Sequence, residues 1–209
     1  KPLLLIEFDG NPSDLRLAKR TVRAWADRLA LAFKEARGDK AADNLWEVRR
    51  KCSGAMFALG NAKINEDIVV PLESQLKFSE QLKRLQKRWN LPMPTFGHAA
   101  DGNFHVNIMF HREDPDELER AEGAVGDLMK MVVDLGGMIS GEHGIGLAKS
   151  PFLRIAKSEA EVAAMLAIKK ALDPKRILNP GKIFEPYQVW KQQPITAGLP
   201  WDKKPILRK

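Results

Sequence analysis

The segment from Phe104 to Phe110 alternates strongly between two kinds of side chain, with Met109 as the one apolar residue at an odd-numbered position. Its even-numbered residues are apolar, whereas its odd-numbered residues include His105 and Asn107. Such alternation is typical of a β-strand that turns one face to the core and the other away from it. The apolar face must be covered by other elements, and this requirement constrains the fold more than any other feature of the chain.

Two amphipathic segments predict the helices that cover this strand. One spans residues 72–89, and the other starts at Asp114–Glu117 and is closed by Gly136, each with apolar residues at three- and four-residue steps. Residues 66–70 predict a second strand, stopped by Pro71. We therefore predict an α+β fold, with a small antiparallel sheet covered on one face by helices.

Shorter signals complete the expected organisation. They predict a buried strand over Leu3–Phe8, a helix capped by Asn11, a strand over Met138–Ser140, a C-terminal helix capped by Ser158, and an extended Pro-rich tail over 185–209. The chain opens on Lys1 without a signal-peptide pattern, so we expect it to be a piece of a longer protein.

The composition excludes several classes of protein. Hydrophobic residues make up 44% and charged residues 29% of the 209, which argues against disorder, and Cys52 alone cannot form a disulfide scaffold. We expect a cytoplasmic protein in a reducing compartment. The net charge of +7 would suit an acidic small molecule, an anionic lipid surface or nucleic acid, but 7% aromatic residues and no binding module argue against nucleic acid.

Three of the four histidines lie in two polar, glycine-containing segments. The turn-forming residues Asp101–Asn103 would fold His98 back towards His105, and Glu142 could add a carboxylate from a neighbouring strand. Two imidazoles and a carboxylate are a recognised set of ligands for a divalent metal. The alternative is that each histidine satisfies only a local hydrogen bond.

The residue after Glu142 is a candidate general base. His143 lies in a glycine-rich turn, where it could face a substrate while Glu142 faces a metal. The alternative is a histidine in a surface loop. Candidate binders of a substrate carboxylate are Arg49, Arg50, Lys51 and Lys63, although each of these charges could simply be solvated.

Three segments, in this order, resemble motifs of the FAD-linked oxidase family. They are Gly97–Asn107 (GH-x-x-DGN-x-H-x-N), Gly136–Gly146 (GG-x-x-SGEHG-x-G) and Asp173–Lys182 (DP-x-x-x-LNPGK). The resemblance covers the C-terminal cap half of D-lactate, glycolate and D-2-hydroxyglutarate dehydrogenases. It implies a ferredoxin-like cap domain over residues 1–184, seated on a separate FAD-binding domain that this chain lacks.

The resemblance also implies roles for individual residues. It assigns metal binding to His98, His105 and Glu142, proton abstraction to His143, substrate contacts to Arg49, Asn107, Lys63 and Ser53, and cofactor binding to Asn179.

The implied activity is oxidation of a D-2-hydroxy acid to the 2-oxo acid. The implied cofactors are FAD, bound mainly by the missing domain, and Zn, Mn or Fe. The electron acceptor would be a quinone, a cytochrome or an electron-transferring flavoprotein. Peripheral association with the inner membrane and a homodimeric state stay open.

Two alternatives to this activity remain. One is a stand-alone metal- or ligand-binding module without catalysis, inactive without a flavin domain. The other is a metal-dependent hydrolase that uses the same two histidines and glutamate.

Overall fold

The computed structural model describes residues 3–29 and 31–185, and the chain divides into two compact units, 1–55 and 56–209. The first unit contains α1 (Pro12–Arg28) and α2 (Asp39–Ala55). As predicted, α1 starts at its cap: Asn11 Oδ1 accepts the N–H groups of Ser13 at 3.0 Å and Asp14 at 3.1 Å. Pro12 follows at the first helical position, where a missing N–H costs nothing.

The prediction of a buried strand over Leu3–Phe8 is wrong. Residues 3–9 form neither helix nor strand, and Leu3 is 70% exposed. A short apolar run becomes a strand only where a neighbouring strand completes its hydrogen bonds, and the described residues offer this run none. Within the described part of this unit only Ala26 is buried, so the apolar face predicted for α1 is mostly exposed as well.

The second unit is built on a three-stranded antiparallel sheet with the order β1-β3-β2. The strands are β1 (Ala62–Val69), β2 (Thr95–His98) and β3 (Asn103–Phe110). A four-residue turn joins β2 to β3, and its last residue, Gly102, has a φ of +72°. Glycine adopts this left-handed conformation without strain, so the hairpin predicted around the two histidines forms.

Two long helices cover the apolar face of the sheet, as the sequence predicts. They are α3 (Gln75–Trp89) and α4 (Pro115–Asp134), with Asp114 capping α4. The core between helices and sheet includes Leu82, Leu128 and Ile108, all buried. Each fully buried side chain of this size stabilises the fold by about 1.5–3 kcal/mol, which makes this layer the stable platform beneath the polar face.

The segment after α4 approaches the free edge of β1. The predicted strand over Met138–Ser140 is reduced to a single bridge, in which Met138 pairs with Val69. The element order is therefore β-α-β-β-α followed by a bridge, and the bridge lies next to β1. This is the order expected of a ferredoxin-like unit, with the fourth strand shortened to one residue.

Three helical elements follow the bridge in the described part of the second unit. A 3₁₀ turn (Ser150–Phe152) leads into α5 (Leu153–Ala156) and α6 (Glu159–Leu172). The predicted cap of α6 forms a complete capping box, because Ser158 and Glu161 each accept the other's N–H. Apart from Glu185, the predicted tail lies outside the described residues. Among the described helices, none has both the length and the apolar character needed to cross a membrane.

Candidate active site

The face of the sheet opposite the helices carries polar side chains. Asp67 and Asn65 of β1 stand opposite His105 and Asn107 of β3, respectively, and both Asp67 and Asn107 are completely buried. Burying polar groups is costly unless each is hydrogen-bonded. A fold that concentrates them on one sheet face therefore identifies that face as a candidate site.

Asp67 organises the loop that follows the bridge. Its Oδ2 accepts the N–H groups of Gly141 at 2.8 Å, Glu142 at 2.9 Å and His143 at 2.9 Å. Ser140 Oγ donates to the same oxygen at 3.2 Å and accepts the N–H of Gly144 at 2.8 Å. The loop is thus folded around one buried carboxylate.

The charge of this carboxylate is favoured by its hydrogen bonds. Burial by itself raises the pKa of Asp67, but the N–H of His143, the side-chain amide of Asn103 and the N–H of Glu142 outweigh burial. The pKa therefore lies well below its usual range, and Asp67 is ionised at neutral pH. Sequence reasoning did not single out Asp67. Its only signal was an acidic residue within the apolar strand of residues 66–70.

The loop brings two predicted site residues to a third one on β3. Glu142 Oε1 lies 3.2 Å from His105 Nε2 and 3.8 Å from His143 Nε2, and the two imidazoles stack with ring centroids 5.3 Å apart. One ligand atom from each residue lies within 4.8 Å of the others. Two imidazole nitrogens and a carboxylate oxygen in this arrangement match the donors that Zn²⁺, Mn²⁺ or Fe²⁺ accept, so the residues fit a divalent metal.

His98 lies beside this cluster. Its ring centroid is 6.4 Å from that of His105, with the rings edge to face. The tight grouping of ligand atoms consists of His105, Glu142 and His143, whereas the sequence predicts His98, His105 and Glu142 as metal ligands. That assignment stays a prediction, because the described structure holds the three histidines and Glu142 in one neighbourhood without selecting among them.

A second polar group occupies the same sheet face further along the strands. Asn107 Oδ1 accepts hydrogen bonds from Lys63 Nζ at 3.2 Å and Asn65 Nδ2 at 2.8 Å, and its Nδ2 donates to Pro94 O and His105 O. Burial lowers the pKa of Lys63. The hydrogen bond to Asn107 holds the amino group of Lys63 on the face that also carries His105.

The edge of β1 holds a buried charged pair. Lys149 Nζ donates to Asp67 O at 2.5 Å and lies 3.8 Å from both Glu66 Oε2 and Asp67 Oδ2. Burial raises the pKa of Glu66 to about 7, although Lys149 opposes the shift. Among the described residues, Glu66 Oε2 and Asn103 Oδ1 are the buried side-chain atoms without a hydrogen-bond partner.

The remaining predicted residues lie elsewhere in the chain. Arg49 and Ser53 are on α2 of the first unit. Asn179 has a left-handed φ of +46° in the closing turn, which is joined to the His143 loop because Ile183 N–H donates to Gly146 O at 2.9 Å. The second motif is therefore hydrogen-bonded to the residue that directly follows the third motif.

The sequence of the chain is similar to one protein family and to several known proteins. A family model described as FAD linked oxidases, C-terminal domain, matches residues 1–183. The glycolate oxidase subunit GlcD of Bacillus subtilis is 34% identical over 185 residues, covering 88% of this chain and 39% of that protein. A probable mitochondrial D-lactate dehydrogenase of Danio rerio is 30% identical over 195 residues, covering 92% of this chain and 39% of that protein.

The chain thus spans about two fifths of the length of these relatives. A solved structure, 4-ethylphenol oxidase from Gulosibacter chungangensis in an isoeugenol complex, is similar in fold with a TM-score of 0.52. Its sequence identity is 17%, and the match covers 84% of this chain and 38% of that one.

Proposed function

Because the chain belongs to the C-terminal domain family of FAD-linked oxidases, we propose that it is the substrate- and metal-binding part of a flavoenzyme that oxidises a D-2-hydroxy acid to the 2-oxo acid. The names of its relatives, glycolate oxidase and D-lactate dehydrogenase, support this reaction class. The observation that carries the proposal is the convergence of His105, Glu142 and His143 on one face of the sheet.

His143 is the proposed base that takes the proton from the substrate hydroxyl. Its side chain is 49% exposed, so a substrate can reach the ring, whereas His105 is almost covered. Imidazole is the side chain that most often takes a proton from a reacting group in enzymes. The backbone N–H of His143 donates to Asp67, which fixes the position of the His143 Cα. This bond does not involve the imidazole ring, which can therefore contact the substrate.

Lys63 and Arg49 are the proposed binders of the substrate carboxylate. Lys63 is a buried ammonium that donates to Asn107 on the site face, and a cation there would attract the carboxylate of the substrate. Arg49 is proposed because the resemblance of the sequence to the family implies this role, and Ser53 and Asn107 are proposed as further contacts. A cationic residue that binds the carboxylate would hold the acid in one orientation, which sets the position of the α-carbon for reaction.

The proposed cofactors are FAD and a divalent metal. A metal bound by His98, His105 and Glu142 would polarise the hydroxyl and carboxylate of the substrate as a Lewis acid. The flavin, held mainly by another part of the same protein with Asn179 contacting it, would accept the α-hydrogen with its two electrons.

The proposed surroundings of the enzyme follow from the family. Electrons would leave to a quinone, a cytochrome or an electron-transferring flavoprotein. A cytoplasmic location, peripheral contact with the inner membrane, and a homodimer are proposed on the same ground.

Anaerobic mixing tests the reaction directly. The full-length protein is mixed with D-lactate, glycolate, D-2-hydroxyglutarate or L-lactate, and the visible absorbance of the flavin is followed. We expect one of the first three acids to bleach the flavin and L-lactate to leave it oxidised. A protein that binds Zn²⁺ but carries no flavin and oxidises no 2-hydroxy acid would instead be a binding module without catalysis.

A further inference from the structure

We propose that Asp67 is the positioning residue of the site, which fixes Glu142 and His143 by accepting the backbone N–H groups of their loop. The roles given to those two side chains rest on the proposed function. The positioning itself rests on the geometry of residues 140–144 around the Asp67 carboxylate.

The loop has no regular structure of its own to hold it. Residues 140–144 form neither helix nor strand, and residues 141–143 are bends. Three consecutive N–H groups, those of Gly141, Glu142 and His143, point at a single oxygen of Asp67. Successive backbone N–H groups that converge in this way form an anion-binding nest, and here the anion belongs to the chain itself.

The carboxylate is itself held firmly. Asn103 Nδ2 donates to Asp67 Oδ1 at 2.6 Å, and Lys149 Nζ lies 3.8 Å from Oδ2. Asp67 is completely buried. Rigid support of this kind determines how accurately the groups attached to it are placed.

The same carboxylate connects the loop to the strand pair that carries His105. Asp67 and His105 are directly opposite each other on β1 and β3. The loop amides bound to Asp67 therefore stand next to His105, which places Glu142 Oε1 3.2 Å from His105 Nε2. Removing the Asp67 carboxylate would therefore release the loop, and Glu142 with it, from its position beside His105.

Asp67 acts on the loop through its Oδ2, which is fully occupied by hydrogen bonds. Its Oδ2 already accepts three N–H groups and the Ser140 hydroxyl, and its Oδ1 accepts the Asn103 amide. A carboxylate has about four acceptor sites, which is about two on each oxygen. Oδ2 therefore has no lone pair left for a metal or a substrate.

Asp67→Asn in the full-length protein tests the proposal, with Glu66→Gln as the matched control. Both residues are buried carboxylates on β1, but only Asp67 contacts the loop. Asparagine keeps the volume but presents an NH₂ group either to the loop amides or to Asn103. Two quantities are measured: hydrogen exchange of the amides at 141–143, and the dissociation constant for Zn²⁺ alone.

We expect Asp67→Asn to speed exchange at 141–143 and to weaken Zn²⁺ binding by about 10–100-fold, the usual effect of losing a group that orients metal ligands. Glu66→Gln should leave both quantities unchanged. Unchanged exchange and unchanged Zn²⁺ affinity in Asp67→Asn would overturn the proposal.

Two further outcomes are decisive. If Asp67→Asn does not fold, Ser140→Ala removes only the hydroxyl that donates to Asp67 and accepts from Gly144. Faster exchange at 141–143, whose amides donate to Asp67 and not to Ser140, then supports the proposal, and unchanged exchange contradicts it. If the wild-type protein binds no Zn²⁺ and oxidises no 2-hydroxy acid, the proposed function fails, while exchange at 141–143 still decides the role of Asp67.

Discussion

Val69 and Met138 exchange two backbone hydrogen bonds, from Val69 N–H to Met138 O at 3.0 Å and from Met138 N–H to Val69 O at 2.8 Å. This bridge attaches the segment after α4 to the free edge of β1, two residues from Asp67. A side chain at Gly137 would collide with Val69 O, so the close approach requires glycine there. The bridge thus delivers the next residues, 140–143, to the Asp67 carboxylate.

Replacement of the proposed base should abolish most of the activity. We expect His143→Ala to lower kcat by about 100-fold or more, since general base catalysis contributes that much. The matched control is His111→Ala, because His111 is an exposed histidine whose ring contacts Glu117 at 3.0 Å. Steady-state kinetics with the preferred 2-hydroxy acid measure both variants, and a twofold loss in His143→Ala would remove this residue from the mechanism.

Loss of the buried ammonium group should weaken substrate binding. A hydrogen bond to a charged group contributes about 1.5–3 kcal/mol, so Lys63→Met should raise KM by roughly 10–100-fold. The control is Lys130→Met, because Lys130 is exposed on α4. Equal KM values in the two variants would show that Lys63 does not bind the substrate carboxylate.

A methyl group at Gly141 should disturb the site without unfolding the protein. A Cβ there would lie 2.6 Å from Asp67 Oδ1 and closer still to Asn103 Nδ2. We expect Gly141→Ala to weaken Zn²⁺ binding by about 10–100-fold, because it displaces groups that orient the ligands. Calorimetric titration with Zn²⁺ measures the change, and wild-type affinity would contradict the packing described here.

Two glycines of α4 should respond oppositely to alanine. A Cβ at Gly123 would lie 2.8 Å from Trp89 Cζ3, whereas a Cβ at Gly126 would meet nothing within 4 Å. Gly123→Ala should destabilise the protein by about 1–3 kcal/mol through overpacking. Gly126→Ala should stabilise it by about 0.5–1 kcal/mol because alanine favours helix. Chemical denaturation of both variants tests the pair, and destabilisation by Gly126→Ala would contradict it.

The buried carboxyl of Glu66 should make stability depend on pH. Burial raises its pKa from 4.5 to about 7, so between these pH values the folded protein keeps a proton that the unfolded chain has released. Relative to Glu66→Gln, wild-type stability should therefore be highest below pH 4.5 and fall as pH rises to about 7, by up to about 3 kcal/mol. Denaturation of both proteins at several pH values checks this, and a constant difference would refute it.

Local signals in the sequence were sufficient for much of the fold. The starts of three helices were predictable from their caps, because a cap accepts hydrogen bonds from residues beside it in the chain. These caps are Asn11, Asp114 and Ser158. The hairpin was predictable for the same reason, since Asp101 and Gly102 form its turn. The run Leu3–Phe8 was misread because a strand needs a partner that composition does not reveal.

The site was only partly predictable. Glycine-rich segments pointed to His105, Glu142 and His143, which lie together in the structure. Asp67 was missed because its partners are 74 to 76 residues away in sequence, and nothing local distinguishes it from Glu66. Which of two adjacent acids faces the site depends on how β1 pairs with β3.

That pairing has a consequence for insertions and deletions. Glu66 and Asp67 project from opposite sides of β1, one opposite Val106 and the other opposite His105. Inserting or deleting one residue just before them would turn each following side chain of β1 to the opposite face of the sheet. Glu66, the longer of the two acids, would then face the loop, and Asp67 would face the core. A change of two residues would restore the original faces, so this stretch of the gene should tolerate even changes in codon number better than odd ones.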